Sequence, residues 1–588
     1  VVTHLDRSPL VFALLIFSIL ILSSSYLSWT SDRGLGELIV ERYEIEREPG
    51  RPVDFLVFSP RYNKYGLPMP VILTTHGIAG SKEGMYSFNV ELARRNFTVI
   101  SIDNPGHGDN SLPFNVTEFD EMAEDCYSAL EYVSSIRDNI DNSTYGILTH
   151  SHGFHTALQL REFDIAPSAY VTVGSTGEMG LGEVDEYPGN LLISVGEFDE
   201  MISNEDAINV LRRATGNESA EPNITYGSFE NQTAVRLAFA PTEHVFEAID
   251  STVVTEAIEW FVQALQGESQ LPKTLDPTAH VYQLKVYATA IGAFALLTST
   301  IPLVLLLTSI LPTKLKPSII ENNVESFSLV KTLVMSSIMG IVMIGLFALT
   351  SVVGYQLETI GLAIPRSMFA TGLFLFLVFA PILLFLFMRL LFGKENGILA
   401  FEAVGIKMAE LKLTAKRITG GIIVSIVSIL WLLGWKYVGN NPAAVEPWIT
   451  FSLVVVPVGI RPFNILILTL IGIPFFIADA AWIRGILLAK RNWNTKHPHA
   501  YSILFVLVGR LPAAAGMAVL VVAITTGLGF IIGAMVLLGL LLLLFMVVSI
   551  LTTILITLSS IEFDNPWPVI IVSSFILAWV AISSVPLI

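Results

Sequence analysis

An α/β domain built on a mostly parallel sheet, joined to an all-α polytopic membrane region, is the fold class this sequence predicts. The first observation is bulk apolarity: 53% of the 588 residues are hydrophobic, only 14% are charged, and mean hydropathy is +0.64. A wholly soluble chain does not reach such values. The second is its uneven spread, since residues 31–276 are mixed and highly charged while almost everything after Tyr282 is apolar. The third is a strict alternation, between Gly36 and Phe261, of β-rich runs with helical ones.

The β-rich runs fall at 38–44, 53–58, 71–75, 98–103, 145–149, 170–173, 191–195 and 235–240. Helical patterns at 87–95, 118–137, 152–161, 204–213 and 253–264 separate most of them. Early strands without helices, followed by β/α alternation, imply a largely parallel sheet covered on both faces. In such sheets reactive groups gather at the carboxyl ends of the strands, which says where to look for chemistry.

The membrane region is read from length. The run 11–29 is about 20 residues, enough at about 1.5 Å per residue to cross a hydrocarbon core of about 30 Å. It reads as an uncleaved anchor. Further runs at 286–311, 329–353, 368–392, 418–437, 463–483, 503–524, 530–558 and 569–587 bring the expectation to about nine spans. The segment 448–460, broken by Pro457, is short and suits a re-entrant piece. The domains are then an anchor at 1–30, a soluble domain at 31–276, and a membrane region of about eight helices at 277–588.

Sidedness follows from basic residues, which concentrate in cytoplasmic loops. Lys314, Lys316 and Lys331 follow the second span, Lys394, Lys407, Lys412, Lys416 and Arg417 the fourth, and Lys490, Arg491 and Lys496 the sixth. All share one side if the N-terminus is cytoplasmic, and the soluble domain is then extracytoplasmic. Glycosylation sequons agree: Asn96, Asn115, Asn142, Asn217, Asn223 and Asn231 all lie in the soluble domain. Asn96 leads straight into a strand.

Charge and cysteine content exclude several functions. Residues 31–276 hold 40 acidic against 15 basic residues, so nucleic acid is not an expected partner. Cys126 is the only cysteine, which rules out an intrachain disulfide and a thiolate metal cluster; within the helical pattern 118–137 it reads as structural.

The run 145–149 ends in Thr149-His150-Ser151-His152-Gly153 and then a helix. This resembles the nucleophile elbow of the α/β-hydrolase superfamily, where a sharp strand-to-helix turn lifts a Ser hydroxyl above the sheet. Thr149 stands where the family has Gly, which leaves the elbow's activity open. His76-Gly77-Ile78-Ala79-Gly80 looks like the family's oxyanion loop, and the resemblance assigns the backbone N–H groups of Ile78 and His152 to the oxyanion hole. Asp103-Asn104-Pro105-Gly106-His107-Gly108 resembles the family's turn after the next strand, with Asp103 and His107 holding the turn. Gly196-Glu197-Phe198-Asp199-Glu200 ends the run 191–195, and Glu243-His244 follows the run 235–240, giving the family's order of Ser, acid and His. The resemblance, which covers 36–267, implies an α/β-hydrolase fold with Ser151, Asp199 and His244 as catalytic triad.

This chemistry calls for no cofactor and no metal. His150, Ser151, His152 and His155 suggest a metal site only until their geometry is considered, because His150 ends a strand and His152 opens a helix, so their side chains diverge. The expected substrate is an ester on a lipid, glycan or protein; the same triad would serve a serine peptidase, and a catalytically silent ectodomain is the third reading. Membrane lipids, a membrane-protein partner or a second copy of the chain are the expected partners. The segment 174–189, short, acidic and Gly-rich, allows a small lid at most. In the membrane region Asp479 and Arg510 could pair, Arg484 could snorkel to the basic end, and 397–417 reads as an amphipathic stretch along the inner leaflet.

Overall fold

The computed structural model describes residues 7–588 apart from 65–67, 177–186, 312–327, 396–399, 401, 403, 405–410, 440–458, 489–496, 524–532, 564 and 584. The chain divides into two compact units, one of Ser23–Gly292 with Gly439–Val455 and Ser584–Ile588, the other of Val1–Leu22, Ala293–Val438 and Val456–Ser583. Most of 397–417 and of 448–460, and the middle of 174–189, lie outside the described residues.

Helix α1 (Ser8–Asp32) precedes an eight-stranded sheet in the order β1-β2-β4-β3-β5-β6-β7-β8. Its strands are β1 Leu38–Glu48, β2 Arg51–Pro60, β3 Met69–Thr75, β4 Thr98–Ile102, β5 Ile140–His150, β6 Ala169–Val173, β7 Leu191–Gly196 and β8 Val235–Ala240. β2 is antiparallel to both β1 and β4, and every pairing from β4 to β8 is parallel. This is the α/β-hydrolase fold that the sequence predicts. The strand-to-strand crossovers are α2 (Tyr86–Arg94), α3 (Phe119–Ile136), α4 (Phe154–Gln159) and α5 (Asn204–Thr215), with α6 (Ser251–Phe261) following β8.

Two cores cover the sheet, and the period of two along each strand decides which residue enters which. Ile72 of β3 joins Phe88, Val99 and Phe261 on the face under α2 and α6. Val71 and Leu73, its neighbours, join Ala129, Leu160 and Val210 on the face under α3, α4 and α5. Cys126 is fully buried there, and burial pushes its thiol up, so it is inert packing.

Among the described residues, seven helices of the other unit follow α7 (Gln283–Thr298) and α8 (Thr300–Ile310): α9 Leu329–Thr359, α10 Ala370–Phe392, α11 Leu411–Gly439, α12 Arg461–Trp482, α13 Pro498–Ala523, α14 Gly533–Glu562 and α15 Trp567–Ser583. Eight helical stretches among the described residues are long and apolar enough to cross a membrane, and α15 adds a shorter apolar helix of 17 residues. The protein is a membrane protein by that measure.

Two expectations change here. Arg484 does not snorkel: it is 1% exposed and donates to the carbonyl of Phe563, just past the end of α14, because a guanidinium satisfies an orphan helix-terminal carbonyl. The last expected span, 569–587, stops as a helix at Ser583, and Leu587 instead pairs through its backbone with Gly106 and Phe114 of the sheet-bearing unit. Apolarity alone cannot tell a lipid-facing residue from one packed on protein. The Asp479–Arg510 pair does form, between α12 and α13.

Candidate active site

β5 ends at His150 and the chain turns at once into a helical segment, which forces Ser151 into the left-handed region at φ 51°. A non-glycine residue held there costs about 1–3 kcal/mol, a strain that persists only when packing over-determines it. The packing is close: a Cβ on Gly153 would lie 3.0 Å from the Thr75 carbonyl, and one on Gly77 would lie 2.9 Å from the Ser151 Cβ. Thr149 does not disturb the elbow, because it stays inside the strand, fully buried and in register between Thr75 and Thr172.

The three side chains singled out by the sequence meet. His244 Nε2 is 3.1 Å from Ser151 Oγ, and His244 Nδ1 is 2.9 Å from Asp199 Oδ2. They come from loops after β5, β7 and β8, all at the carboxyl edge of the sheet. The other oxygen of Asp199 accepts the N–H groups of Met201 at 2.6 Å and Ile202 at 3.0 Å, which fixes the carboxylate plane. Burial opposes protonation of His244, but Asp199, with Glu247 and Glu200, outweighs it and lifts the imidazole to about 9. Burial likewise opposes ionisation of Asp199, and His244 outweighs it to hold the carboxyl below its usual value.

The loop after β3 lies against the nucleophile. His76 donates from Nδ1 to the Gly77 carbonyl at 2.8 Å and accepts the Asn104 N–H at Nε2, so both its nitrogens serve the loop; burial lowers it to about 4. His107 Nε2 accepts the Ala79 N–H at 3.2 Å. Asp103 accepts the Lys82 N–H at 2.7 Å and its ammonium as well. These contacts agree with turn-holding roles for Asp103 and His107. Ile78 sits in this braced loop directly after Gly77, and His152 follows Ser151, where the two oxyanion donors are expected.

Lys82 and Glu247 are chemistry-bearing residues that the sequence reading missed. Lys82 is fully buried, with its ammonium on Asp103, 2.6 Å from Asp109 and 3.1 Å from Glu83; burial opposes its charge, but the three carboxylates hold it well above the ordinary lysine value. Glu247 Oε1 accepts the Gly196 N–H at 2.6 Å, and Oε2 is 3.6 Å from His244 Nδ1 and 3.7 Å from His150 Nε2. Burial pushes its carboxyl well above the usual range, with His244 opposing and Asp199 adding to the push.

His150 and His152 point apart, as their placement on strand and helix requires, while His155 lies with His152 against Phe119. His150 stacks obliquely on His244, whereas His152 gives Nε2 to the Val116 carbonyl region at 2.9 Å and lies edge-on to Phe114. Among the described residues His150, His244 and Glu247 bring possible ligand atoms within 4.8 Å of one another. Hydrogen bonds to Asp199 and Gly196 already engage two of those groups.

No protein-family model matches the chain, and no curated protein does. Solved structures do match. A thermophilic esterase from Thermogutta terrifontis is 13% identical over 38% of this chain and 99% of its own, with a TM-score of 0.28. A dienelactone hydrolase from Anabaena variabilis is 15% identical over 39% of this chain and 98% of its own, also at 0.28. The methylesterase BT1017 is 16% identical over 47% of this chain and 68% of its own, at 0.33. With likeness this slight, function rests on the geometry of the site.

Proposed function

We propose that the chain is a membrane-bound serine hydrolase that cleaves an ester through an acyl-enzyme. The observation that supports this most is the unbroken hydrogen-bonded chain Ser151–His244–Asp199, set on a strained elbow at the carboxyl edge of the sheet. A silent ectodomain has no use for Ser151 at positive φ.

In this reading the Ser151 Oγ attacks the ester carbonyl carbon as His244 Nε2 takes the hydroxyl proton, and Asp199 stabilises the imidazolium. The tetrahedral oxyanion receives the N–H groups of Ile78 and His152, each worth about 3–4 kcal/mol at the transition state. Collapse breaks the bond to the alcohol, which leaves with the proton from His244. Water then attacks the acyl-Ser151 ester with His244 again as base, releasing the acid and restoring the hydroxyl. Amide cleavage would use the same atoms, and nothing at the site favours it.

The hydrolase unit is placed outside the membrane and the N-terminus in the cytoplasm, on the distribution of basic loops and sequons. A fluorophosphonate probe tests the chemistry: it should label the full-length protein and fail to label Ser151→Ala. A folded protein that resists the probe would refute the proposal.

A further inference from the structure

We infer that residues 585–587, remote in sequence from the sheet, are a positioning strap for the oxyanion hole: the Leu587 backbone clips together the loop that braces both expected donors, Ile78 and His152. The catalytic consequence rests on the serine chemistry proposed above; the bracing itself does not.

Residues 585–588 belong to the same compact unit as the sheet. There Leu587 meets the loop after β4 twice. Its N–H donates to the Gly106 carbonyl at 2.9 Å, and its carbonyl accepts the Phe114 N–H at 2.7 Å. One residue thus joins the two limbs of the loop 104–116. The seat fits it closely. Gly106 stands at φ 76°, and a Cβ there would fall 2.6 Å from the Leu587 carbonyl oxygen and 2.7 Å from the Phe114 Cβ. Leu587 itself is buried, as is Val585.

The loop has little else to hold it. Phe114 is the only buried residue of 111–118. Among the described residues the stretch 112–116 makes two hydrogen bonds to distant parts of the fold: that of Phe114 to Leu587, and that of the Val116 carbonyl, which accepts from His152 Nε2 at 2.9 Å. Without Leu587 it would keep one.

Both donors are reached from this loop. Next to Gly106, His107 donates from Nδ1 to the Pro105 carbonyl at 2.8 Å, which leaves Nε2 to accept the Ala79 N–H. Ala79 directly follows Ile78 and is a non-glycine residue at φ 67°, a conformation that persists only where neighbours hold it. On the other side, the Val116 carbonyl fixes the His152 ring. The Phe114 ring lies edge-on to both imidazoles, its centroid 4.8 Å from that of His107 and 5.4 Å from that of His152. The Leu587 clip therefore acts on both residues whose N–H groups are expected to receive the oxyanion. Such donors lower the barrier only when they are aimed before the charge develops.

Leu587→Pro removes the N–H that Gly106 accepts, whereas Leu587→Met keeps both backbone bonds and the side-chain volume. Each is made in the full-length protein, and hydrolysis of a fluorogenic ester is compared with that of the matching thionoester. Sulfur accepts hydrogen bonds poorly, so the thionoester gains little from an oxyanion hole. In Leu587→Pro, kcat for the ester should fall about tenfold or more with KM within about threefold, and the ester-to-thionoester rate ratio should fall with it. Leu587→Met should match the unaltered protein. Equal losses on the two substrates, or no loss, overturn the positioning role. Amide hydrogen exchange reads the brace without the chemistry: in Leu587→Pro it should quicken at 77–80 and 104–116 and stay unchanged in β6 and β7. Uniform quickening, or none, overturns the brace. A protein that resists the fluorophosphonate probe yet shows the local quickening would refute the serine chemistry and uphold the brace.

Discussion

Glu247 sets a second buried carboxyl beside the imidazole of His244: its Oε2 lies 3.6 Å from Nδ1, while its Oε1 is held by the Gly196 N–H at 2.6 Å. Gly174 makes the room, since a Cβ there would fall 2.0 Å from Oε2. Burial and the neighbouring Asp199 carboxylate push this carboxyl well above its usual range, with His244 opposing. Glu247→Gln preserves one acceptor and one donor and should retain kcat within about threefold, whereas Glu247→Leu should lower it by about tenfold or more with KM little changed. Steady-state kinetics on one ester decide it; equal losses in the two variants would sink the role.

The His244 shift predicts an alkaline activity profile. Below about 9 the imidazole is protonated and cannot accept the Ser151 proton, so kcat/KM should rise with pH and reach half its plateau close to that value. Stability runs the other way. A raised histidine contributes fully below its ordinary 6.5 and loses the contribution as pH climbs through about 9, whereas the depressed Asp199 contributes above its ordinary 3.8 and loses it as pH falls. Thermal unfolding of the detergent-solubilised protein should therefore show greatest stability at mildly acidic to neutral pH, below the activity optimum. An activity midpoint near 6.5 would show that the carboxyls do not hold the proton on His244.

How far each residue could be read from sequence depends on what fixes its role. Ser151, Asp199 and His244 each follow a β-rich run, so order and strand ends suffice to place them. Glu247 and Lys82 look in sequence like solvated charges on short turns, and only the tertiary fold shows them fully buried. Nothing local distinguishes them. Leu587 and Arg484 fail for a related reason: apolar residues near a span, or a lysine-rich end, carry no record of whether lipid, water or protein will surround them. The strands themselves are legible within a few residues because burial on two faces writes continuous apolar runs; β5 extends farthest beyond expectation, back to Ile140, through the polar residues 141–144.

Lys82→Met should be among the most damaging single changes in the hydrolase unit. Asp103, Asp109 and Glu83 would then share a buried region without their common cation, and breaking such a cluster by removing one partner costs about 3–5 kcal/mol. Asp103 also holds the Lys82 and Asp109 N–H groups next to the oxyanion loop, so probe labelling of Ser151 should fall together with the melting temperature. An unaltered melting temperature would mean that the carboxylates accept protons at little cost.

In the membrane-spanning unit, Arg510→Ala leaves Asp479, 5% exposed, without its ion pair. An unpaired Asp at the centre of a span is worth about 2.5–3.5 kcal/mol on insertion scales, and the loss here should be smaller because Arg510 is partly exposed. Asp479→Asn combined with Arg510→Gln should recover most of the thermal stability that Arg510→Ala loses. A double variant no better than the single one would show that the pair is not what the site requires.

The sequons separate by burial, which makes sidedness measurable. Asn217, Asn223 and Asn231 are exposed, whereas Asn96 is 2% exposed, at φ 70°, immediately before Phe97 and β4. A transferase must reach an accessible Asn-x-Ser/Thr, so in a eukaryotic secretory host Asn217→Gln, Asn223→Gln and Asn231→Gln should each remove one endoglycosidase-sensitive increment of mass, and Asn96→Gln none. Because these three lie in the connection between α5 and β8, modification at any of them places the hydrolase unit on the lumenal side. A protein that reaches the membrane with no sensitive mass at all would instead place that unit in the cytoplasm, and the basic loops would then break the positive-inside pattern.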